Sequence, residues 1–307
     1  MRVLVTGGAG FIGSNVADAF IERGHKVAVL DNLSTGFERN LNPEALFFKR
    51  DLCEPGLEEV FHEFRPEIID HHAAQTSVVR SVSEPLNDAT TNIIGSLNLI
   101  QEAIKHGVRK FIYACTGGAL YGEPQYLPAD EKHPVNPQSP YGLSKYVVEY
   151  YLNLYGVNDN LNWVSLRYAN IYGSRQNAKG EAGVVAIFAL QMLQGKPCTI
   201  FGKGDKTRDY VHVSDIARLN LLALDGLNKT CYNAGSGLET TDQTMFDTLA
   251  ELLNYDKKPI YAPIRKGEVY RICLNSARAE KALGWKTEVG LREGLQRTVE
   301  YYRELAK

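Results

Sequence analysis

The sequence predicts an α/β fold, a doubly wound parallel sheet with helices on both faces followed by a smaller α/β lobe. Through the first half of the chain, short runs rich in Val, Ile and Phe alternate with longer stretches of helical character. The first of these runs ends in a glycine-rich turn. Past about Tyr168 the alternation weakens, and glycine-rich loops lie between Gly173 and Gly183 and between Gly202 and Gly204.

The positions of the predicted elements follow from where the apolar runs begin and end. Strands are predicted at 3–5, 26–30, 46–49, 68–70 and 110–114, and helices at about 12–22 and 90–105. A further helix is predicted from Tyr141, because Ser139 suits its N-cap and Pro140 its first turn. Gly156 is expected at its far end.

The composition limits the classes of protein to which the chain can belong. Its 307 residues are 44% hydrophobic and carry a net charge of -2, which argues against nucleic-acid or membrane-surface partners. The five cysteines are odd in number and far apart in sequence, so we expect reduced thiols. The chain enters its first strand at once, with no room for a signal peptide, and no apolar run approaches the roughly 20 residues of a membrane span. We therefore expect a cytoplasmic protein.

The turn after the first strand has the spacing of a phosphate-binding loop. Its glycines recur as G-x-x-G-x-x-G at the start of a helix, over Gly7, Gly10, Phe11, Ile12 and Gly13. Glycines let the backbone turn tightly and approach a pyrophosphate, and the free N–H groups of a helix N-terminus favour an anion. An ordinary βα turn is the alternative, but the position between a strand and a helix favours a Rossmann-type dinucleotide site.

A carboxylate after the second strand indicates which dinucleotide binds. Asp31 stands about 20 residues after the glycine turn, where an acidic side chain bonds the adenosine ribose. It would repel a 2′-phosphate, and it is followed by Asn32 and not by an arginine. The sequence therefore predicts NAD as the cofactor in preference to NADP.

Two later strand ends complete the predicted cofactor site. Asp51 and Leu52 follow the third strand and are expected near the adenine, although Asp51 is equally suited to cap a helix. Ala73, Ala74 and Gln75 follow the fourth strand, where small side chains leave room for the cofactor backbone.

Adjacent histidines precede this last segment. His71 and His72 belong to a predicted strand, on which neighbouring side chains point to opposite faces. We therefore expect no metal site there.

Tyr141 and Lys145 form the predicted catalytic pair. They stand four residues apart at the start of a helix and hence on one of its faces. A free tyrosine, with a pKa of about 10, is a poor base at neutral pH. A neighbouring ammonium and a positive nicotinamide ring lower that pKa, so the pair suits removal of a hydroxyl proton while the adjacent carbon gives hydride to NAD.

Longer segments carry a resemblance to a known family. The chain has LRYANIYG at 166–173, RDYVHVSD at 208–215, RKGE at 265–268 and ALGW at 282–285. In these segments, the glycine turn and the Tyr/Lys pair, it resembles the extended short-chain dehydrogenase/reductase family. Within that family it is similar to the nucleotide-sugar 4-epimerases of the UDP-glucose/UDP-galactose type, and the resemblance spans nearly the whole chain.

The resemblance implies which residues hold the phosphates of the substrate. Asn170 would bind the diphosphate, and Arg208 and Arg265 would clamp it, since the fork of arginine suits phosphate oxygens. A surface salt bridge with Asp209 is the alternative for Arg208. Asn92 matches an asparagine near the cofactor in the family, or else stabilises its own helix.

The resemblance also implies a nucleoside site. Glu268 would bind the ribose, and Phe201 would pack near the uracil, unless it belongs to the core. Val184 and Val185 would offer backbone groups to the base. We expect a cofactor domain over 1–169, with a return segment near 212–236, and a lobe over 170–307 that mainly binds the nucleotide sugar.

One segment departs from the pattern of the relatives. They place a Ser or Thr four residues before the tyrosine of a Tyr-Gly dipeptide, and here that place is Gly117. We expect Thr116 to supply the catalytic hydroxyl instead, unless it ends the strand and points inward. Sugar 4,6-dehydratases carry an Asp-Glu pair where this chain has Gly118 and Ala119, so dehydration lacks its acid and base.

The resemblance implies NAD-dependent epimerisation at C4 of a UDP-hexose, interconverting UDP-galactose and UDP-glucose through a transient 4-keto sugar. A UDP-N-acetylhexosamine or UDP-uronate 4-epimerase stays open, because the region near Ile272 and Cys273 does not decide the bulk accepted at C2. A net NAD-dependent oxidoreductase also stays open, whereas the intact Tyr/Lys pair argues against a non-catalytic NAD-binding protein. Relatives dimerise through two helices, here about 90–105 and 140–155, so a homodimer is expected.

Overall fold

A parallel sheet forms the centre of the larger lobe. The computed structural model describes residues 1–177, 183–226, 228–264 and 269–305. The strands, in chain order, are β1 (Arg2–Thr6), β2 (Lys26–Asp31), β3 (Leu46–Lys49), β4 (Ile68–His71), β5 (Lys110–Thr116), β6 (Trp163–Tyr168), β7 (Asn170–Tyr172), β8 (Thr199–Phe201), β9 (Thr207–Arg208), β10 (Tyr210–His212), β11 (Thr230–Ala234), β12 (Thr240–Thr241) and β13 (Ile260–Ala262). Within the described residues, seven of them form one sheet in the order β11-β6-β5-β4-β1-β2-β3, with every neighbouring pair parallel.

This strand order confirms the predicted doubly wound fold. Sequence order runs outward from β1 in both directions, so the topology reverses between β1 and β4. In such sheets the crevice outside the carboxyl ends of the strands at the reversal is the place where ligands bind. Along β1, Val3 and Val5 pack into the core on one face of the sheet and Leu4 into the core on the other.

Helices cover both faces of this sheet and build the second lobe. In chain order they are α1 (Phe11–Glu22), α2 (Leu57–Phe64), α3 (Val78–Ser83), α4 (Pro85–Ala89), α5 (Gly95–Lys105), α6 (Pro140–Asn158), α7 (Val184–Leu193), α8 (Val213–Ala223), α9 (Asp242–Leu253), α10 (Ala277–Leu283) and α11 (Leu291–Leu305). None of the described helices is both long and apolar enough to cross a membrane.

The second lobe has its own hydrophobic core. Side chains from α7, α9 and α11 pack there with β8, and the two-stranded pairs β10-β7, β12-β9 and β13-β8 lie around them. After β10 the chain returns to the large sheet through α8 and β11. α10 follows it there, since Ala279 packs into the core on the α1 and α8 face.

Two helix boundaries differ from the prediction. The helix expected at 90–105 begins earlier, because α4 runs through a π-helical turn, Thr90–Ile94, into α5. Gly156 does not end α6, which continues to Asn158. A Cβ on Gly156 would lie 2.6 Å from Nε1 of Trp163, so glycine is needed there for packing against β6.

A buried ion pair fixes α6 to the sheet. Arg167 on β6 donates to both carboxylate oxygens of Glu149, and Ser165 donates to the same carboxylate at 2.6 Å. Arg167 and Glu149 are only 4% and 6% exposed, so water does not compete for the pair. Because Glu149 lies on the same face of α6 as Tyr141 and Lys145, the pair sets the position of that face against the sheet.

We expect Arg167→Ala to lower the free energy of unfolding by about 3–5 kcal/mol, because it leaves the Glu149 carboxylate buried without its partner. Chemical denaturation followed by circular dichroism measures this change. Arg297→Ala, which removes an exposed i,i+4 pair with Glu293, is the matched control and should cost less than about 1 kcal/mol. Equal losses in the two variants would contradict the anchoring role of the buried pair.

Candidate active site

The glycine turn lies at the carboxyl end of β1, where the strand order reverses. Gly7 has a φ of 68° and its N–H donates to the end of β2 at 2.8 Å, while the N–H of Gly10 donates to Gly7 O at 3.0 Å. α1 begins directly afterwards at Phe11 and continues through Ile12. A Cβ on Gly13 would lie 2.4 Å from Gly7 O, so the turn and the helix pack without room for a side chain. The turn presents a helix N-terminus suited to a pyrophosphate.

Asp31 closes this loop from the neighbouring strand. Its carboxylate, on a residue only 8% exposed, accepts from Ala9 N–H at 3.0 Å and from Leu33 N–H at 2.8 Å. Burial raises the pKa of Asp31, and the two N–H groups act to lower it. Asp31 therefore lies beside the glycine turn, as a residue that binds the adenosine ribose must.

Asp51 shapes the turn after β3. It accepts from Cys53 N–H at 2.8 Å and from Asn32 Nδ2 at 2.7 Å. Burial acts to raise the pKa of Asp51, but these hydrogen bonds outweigh it and lower the pKa overall. The helix-cap interpretation is wrong, because the N-cap of α2 is Gly56. Leu52 is buried, and a contact of this segment with the adenine stays a prediction.

The segment after β4 is tied to α6. Ala73, Ala74 and Gln75 follow the strand, and the N–H of Ala73 donates to a β1 threonine at 3.2 Å. Asn92 accepts from Gln75 N–H at 2.7 Å, and its Nδ2 contacts Gln75 O at 3.0 Å and Ser144 Oγ at 3.1 Å. The Asn92 side chain, 1% exposed, therefore binds protein groups and holds the wall of the site in place.

The adjacent histidines point to opposite faces, as the strand prediction requires. His71 contacts Thr6 Oγ1 at 2.6 Å and Ser96 Oγ at 2.8 Å. His72 Nε2 lies 2.9 Å from the carboxylate of Asp70 on the other face.

A different cluster has metal-ligand chemistry. Among the described residues, ligand atoms of Glu58, His62 and His106 lie within 4.8 Å of one another on α2 and just after α5. The ammonium of Lys105 already lies 3.0 Å from the Glu58 carboxylate and balances its charge. Two of its three residues are exposed, and the cluster does not belong to the strand ends that carry the site.

The structure brings the three predicted catalytic residues together. Thr116, the last residue of β5, lies beside Tyr141, whose pKa it acts to lower, and accepts from Ala119 N–H at 3.1 Å. Lys145 lies one helical turn after Tyr141, and its ammonium is 4.5 Å from the centre of the Tyr113 ring. Lys145 is only 4% exposed, so this end of α6 is largely dry.

The electrostatics of the pair differ from the prediction. Burial raises the pKa of Tyr141, interactions with Cys115 and Asp88 raise it further, and the hydrogen bond with Thr116 acts to lower it. Burial lowers the pKa of Lys145 to about 8, although Cys115 and Asp88 act to raise it. The expectation of a lowered Tyr141 pKa is wrong for the chain alone, because burial outweighs every favourable interaction. A positive nicotinamide ring would act in the required direction.

The two glycines after β5 explain why Thr116 is the available hydroxyl. A Cβ on Gly117 would lie 2.4 Å from Cδ1 of the buried Leu274, so a Ser or Thr at this position requires Leu274 to move. A Cβ on Gly118 would lie 3.5 Å from Asn170 Oδ1 and 4.0 Å from Thr116 Oγ1. Thr116 and Asn170 therefore face the same space, which Gly118 leaves open.

A cavity of about 370 Å³ adjoins this space in the second lobe. Four of the predicted substrate residues line it, namely Asn170, Val184, Phe201 and Arg208. Val185 is 1% exposed and packs into the core of the lobe, so only its backbone is available to a ligand. The predicted Arg265 and Glu268 lie outside the described residues.

Sequence reasoning missed two charged residues of this cavity. Lys206 and Asp242 line it, and their side chains lie 3.6 Å apart. Lys206 and Arg208 alternate in sequence, a period-two signal that places them on one side of an extended segment. Two cations against one carboxylate favour an anionic ligand.

The salt-bridge alternative for Arg208 is wrong. Asp209 is 1% exposed and accepts from the N–H groups of Ser236 at 2.8 Å and of Leu274 at 3.0 Å. Arg208 donates instead to Thr207 O at 2.8 Å and lies on the cavity wall.

Comparison with known proteins agrees with this arrangement. Residues 3–235 match the NAD dependent epimerase/dehydratase family. The chain is 42% identical over 311 residues to the UDP-glucose 4-epimerase of Mycolicibacterium smegmatis, with 99% of each chain covered. Its structure is similar to that of the UDP-glucose 4-epimerase of Thermotoga maritima with UDP-glucose, with a TM-score of 0.99 and 49% identity over 100% of both chains. For the Thermus thermophilus UDP-glucose 4-epimerase complex with NAD, the TM-score is 0.94 and the identity 45%, over 99% of both chains.

We expect Gly13→Ala to abolish tight NAD binding, because the new Cβ would collide with Gly7 O and displace the turn from α1. Calorimetric titration of the NAD-free protein with NAD measures the loss, and circular dichroism checks the fold. Gly290→Ala is the matched control, since nothing lies within 4 Å of its Cβ, and it should bind NAD normally. Unchanged affinity in Gly13→Ala would place the cofactor elsewhere.

Proposed function

The chain belongs to the NAD dependent epimerase/dehydratase family, and on that premise we propose that it interconverts UDP-galactose and UDP-glucose by inverting C4 of the hexose. The reaction depends on NAD and passes through a transient 4-keto sugar. The enzyme is an isomerase, because the sugar is oxidised and reduced again within one turnover.

One arrangement carries this proposal. The space left open by Gly118 is bordered by Thr116 and Asn170, and Tyr141 lies beside Thr116. The glycine turn lies at the same edge of the sheet, two strands away at the end of β1, and the cationic cavity begins at Asn170. A sugar in this space would therefore have a proton acceptor at its hydroxyl, a hydride acceptor at its carbon and an anchor for its diphosphate.

Proton transfer is assigned to Tyr141. As a phenolate it takes the proton of the sugar's 4-hydroxyl, while Thr116 donates a hydrogen bond to the same oxygen. NAD, which the glycine turn and Asp31 would hold, supplies the acceptor for the C4 hydride. Lys145 stabilises the phenolate and bonds the nicotinamide ribose.

Inversion requires the keto sugar to turn over without leaving. Asn170 and Arg208, with Arg265 beyond the described residues, hold the diphosphate, so that binding energy is placed on a part of the substrate that does not react. Gly117 and Gly118 project no side chain into the space where the sugar turns. The hydride then returns to the opposite face of C4.

The rival reactions make different demands on the same site. A 4,6-dehydratase needs an acid and a base where this chain has Gly118 and Ala119. A net oxidoreductase consumes free NAD in proportion to product. Ile272 is 1% exposed and packs with Leu120 in a buried cluster, so its size does not indicate which sugar the site accepts. N-acetylated and uronic sugars are therefore best tested by direct comparison of substrates.

We expect the purified protein to convert UDP-galactose into UDP-glucose without added cofactor, because NAD is regenerated in each cycle. Chromatographic separation of the products measures this conversion. Tyr141→Phe should lose about 10²–10⁴-fold in kcat, the range for removing a general base.

Thr116→Ala tests, in the same assay, whether Thr116 supplies the catalytic hydroxyl. We expect kcat to fall about 10-fold, the value of one hydrogen bond to a charged group. Full activity in Thr116→Ala would remove Thr116 from the mechanism. Inactivity towards UDP-galactose, with activity on an N-acetylated or uronic nucleotide sugar, would show that the substrate is that sugar and not UDP-galactose. Inactivity towards all of them, with NAD added, would overturn the proposed function.

We also propose that the chain acts as a homodimer. Large apolar side chains are exposed along α4 and α6, with Leu86 at 83%, Tyr150 at 65% and Val157 at 75%. These helices pack against each other, and exposed apolar surface of this kind is typical of a protein–protein interface. The widely spaced thiols suit a reducing compartment, so we place the enzyme in the cytoplasm.

Leu86→Glu should convert the dimer to a monomer, because it places a charge in an apolar interface. Sedimentation velocity measures the change, and Leu238→Glu, 68% exposed but away from α4 and α6, should leave the dimer intact. A wild-type protein that sediments as a monomer would contradict the proposal.

A further inference from the structure

Asp88 is a buried carboxylate that the proposed reaction does not use. It lies on α4 just before the π-helical turn and is 1% exposed. Its Oδ1 accepts from Gln75 Nε2 at 2.8 Å and from Asn92 Nδ2 at 3.1 Å. Both donors are neutral amides, which hold the carboxylate in place without balancing its charge. A buried carboxylate in this position gains from a cation nearby.

Lys145 is a buried cation on α6, the helix that packs against α4. The Asn92 amide that contacts Asp88 also contacts Ser144 Oγ at 3.1 Å, and Ser144 directly precedes Lys145 on α6. Asp88 acts on both members of the catalytic pair, since it raises the pKa of Lys145 and that of Tyr141. The carboxylate and the ammonium therefore belong to one dry region.

The other titratable groups around Lys145 are either uncharged at neutral pH or already paired with a cation. Burial raises the pKa of the Cys115 thiol to about 12 and raises that of Tyr113 well above its ordinary value. Burial lowers the pKa of His71 well below its ordinary value, so its imidazole is neutral. Glu149 further along α6 is bound by a buried arginine. Among these groups, Asp88 is therefore the carboxylate whose negative charge is not already paired with an arginine and can act on Lys145.

We propose that Asp88 is a positioning residue that holds Lys145 in its ammonium form and thereby sets the pH window in which the catalytic pair works. The inference rests on the proposed roles of Tyr141 and Lys145. Burial favours the neutral amine of Lys145, and a carboxylate in the same region opposes this tendency. The same negative charge opposes the ionisation of Tyr141. Asp88 therefore raises the pKa of both Lys145 and Tyr141.

The direction of the effect follows from the active form of the pair. Activity requires Tyr141 as phenolate, which sets the acid limb of the pH profile, and Lys145 as ammonium, which sets the alkaline limb. Removal of the negative charge at Asp88 lowers both pKa values, so both limbs move towards lower pH. A residue with a merely structural role would change the height of the profile and leave its limbs in place.

The test is the pH dependence of kcat in Asp88→Asn, which keeps an oxygen acceptor for Gln75 and Asn92 while removing the charge. Both limbs should shift by about one pH unit to lower pH, the low end of the effect of a nearby buried charge. Asp215→Asn is the matched control, since Asp215 is also a 2% exposed carboxylate held by backbone N–H groups, but on α8. Its limbs should not move.

A second measurement separates this proposal from the proposed function. The phenolate absorbance of Tyr141, taken as the difference between each protein and its Tyr141→Phe counterpart, is titrated without substrate. A lower midpoint in Asp88→Asn supports the proposal even if no sugar is epimerised, and an inactive wild-type protein then contradicts only the proposed function. Unmoved limbs together with an unmoved midpoint would overturn the role of Asp88. If Asp88→Asn loses its native circular dichroism, Asp88→Ser takes its place in both measurements.

Discussion

Lys145 carries a positive charge in a region that excludes water, and the catalytic end of the sheet is arranged around that charge. Burial favours the neutral amine, so the ammonium depends on the groups that surround it. α6 has to bring it to the end of β5 in one position, which the buried Glu149–Arg167 pair fixes from further along the same helix face. Asp88 then adds the opposite charge from α4. A tyrosine beside this ammonium becomes a base only when further positive charge arrives with the cofactor.

The two lobes have different functions: the sheet positions the catalytic groups, and the second lobe offers the cavity for the phosphates. The parallel strands end at one edge and present the glycine turn, Thr116 and the catalytic helix in fixed positions. The second lobe offers a cavity whose Lys206 and Arg208 suit phosphate oxygens. Between them lie Gly117 and Gly118, where no side chain projects. A sugar tethered through its diphosphate is therefore free to turn beside these glycines, where each face of its C4 must in turn be presented to the cofactor.

Local spacing explains what could be predicted from the sequence. A strand, a glycine turn and a helix in direct succession leave few alternatives. A tyrosine four residues before a lysine is a weak signal alone, but it becomes specific after such a turn and behind a Ser-Pro helix cap. Side chains whose role depends on distant segments could not be found in this way. Lys206 becomes a cavity residue only because the residue before β9 meets Asp242 at the start of α9. Asp88 is connected to the start of α6 only through Asn92, which contacts both Asp88 and Ser144. Gly156 resembles a helix stop but is required by the Trp163 ring. The Tyr141 pKa was mispredicted because the cost of burial is invisible in a spacing pattern.

Transient oxidation at C4 is tested by following the hydrogen bound to that carbon. The protein is given UDP-galactose that carries deuterium at C4, in ordinary water and without added NAD, and the UDP-glucose formed is analysed by mass spectrometry and NMR. We expect deuterium to stay at C4 of the product, because the hydride leaves and returns within one active site while only the hydroxyl proton passes through Tyr141. Loss of deuterium to the solvent would contradict the account, since it would mean that C4 is inverted by proton removal and not by transient oxidation.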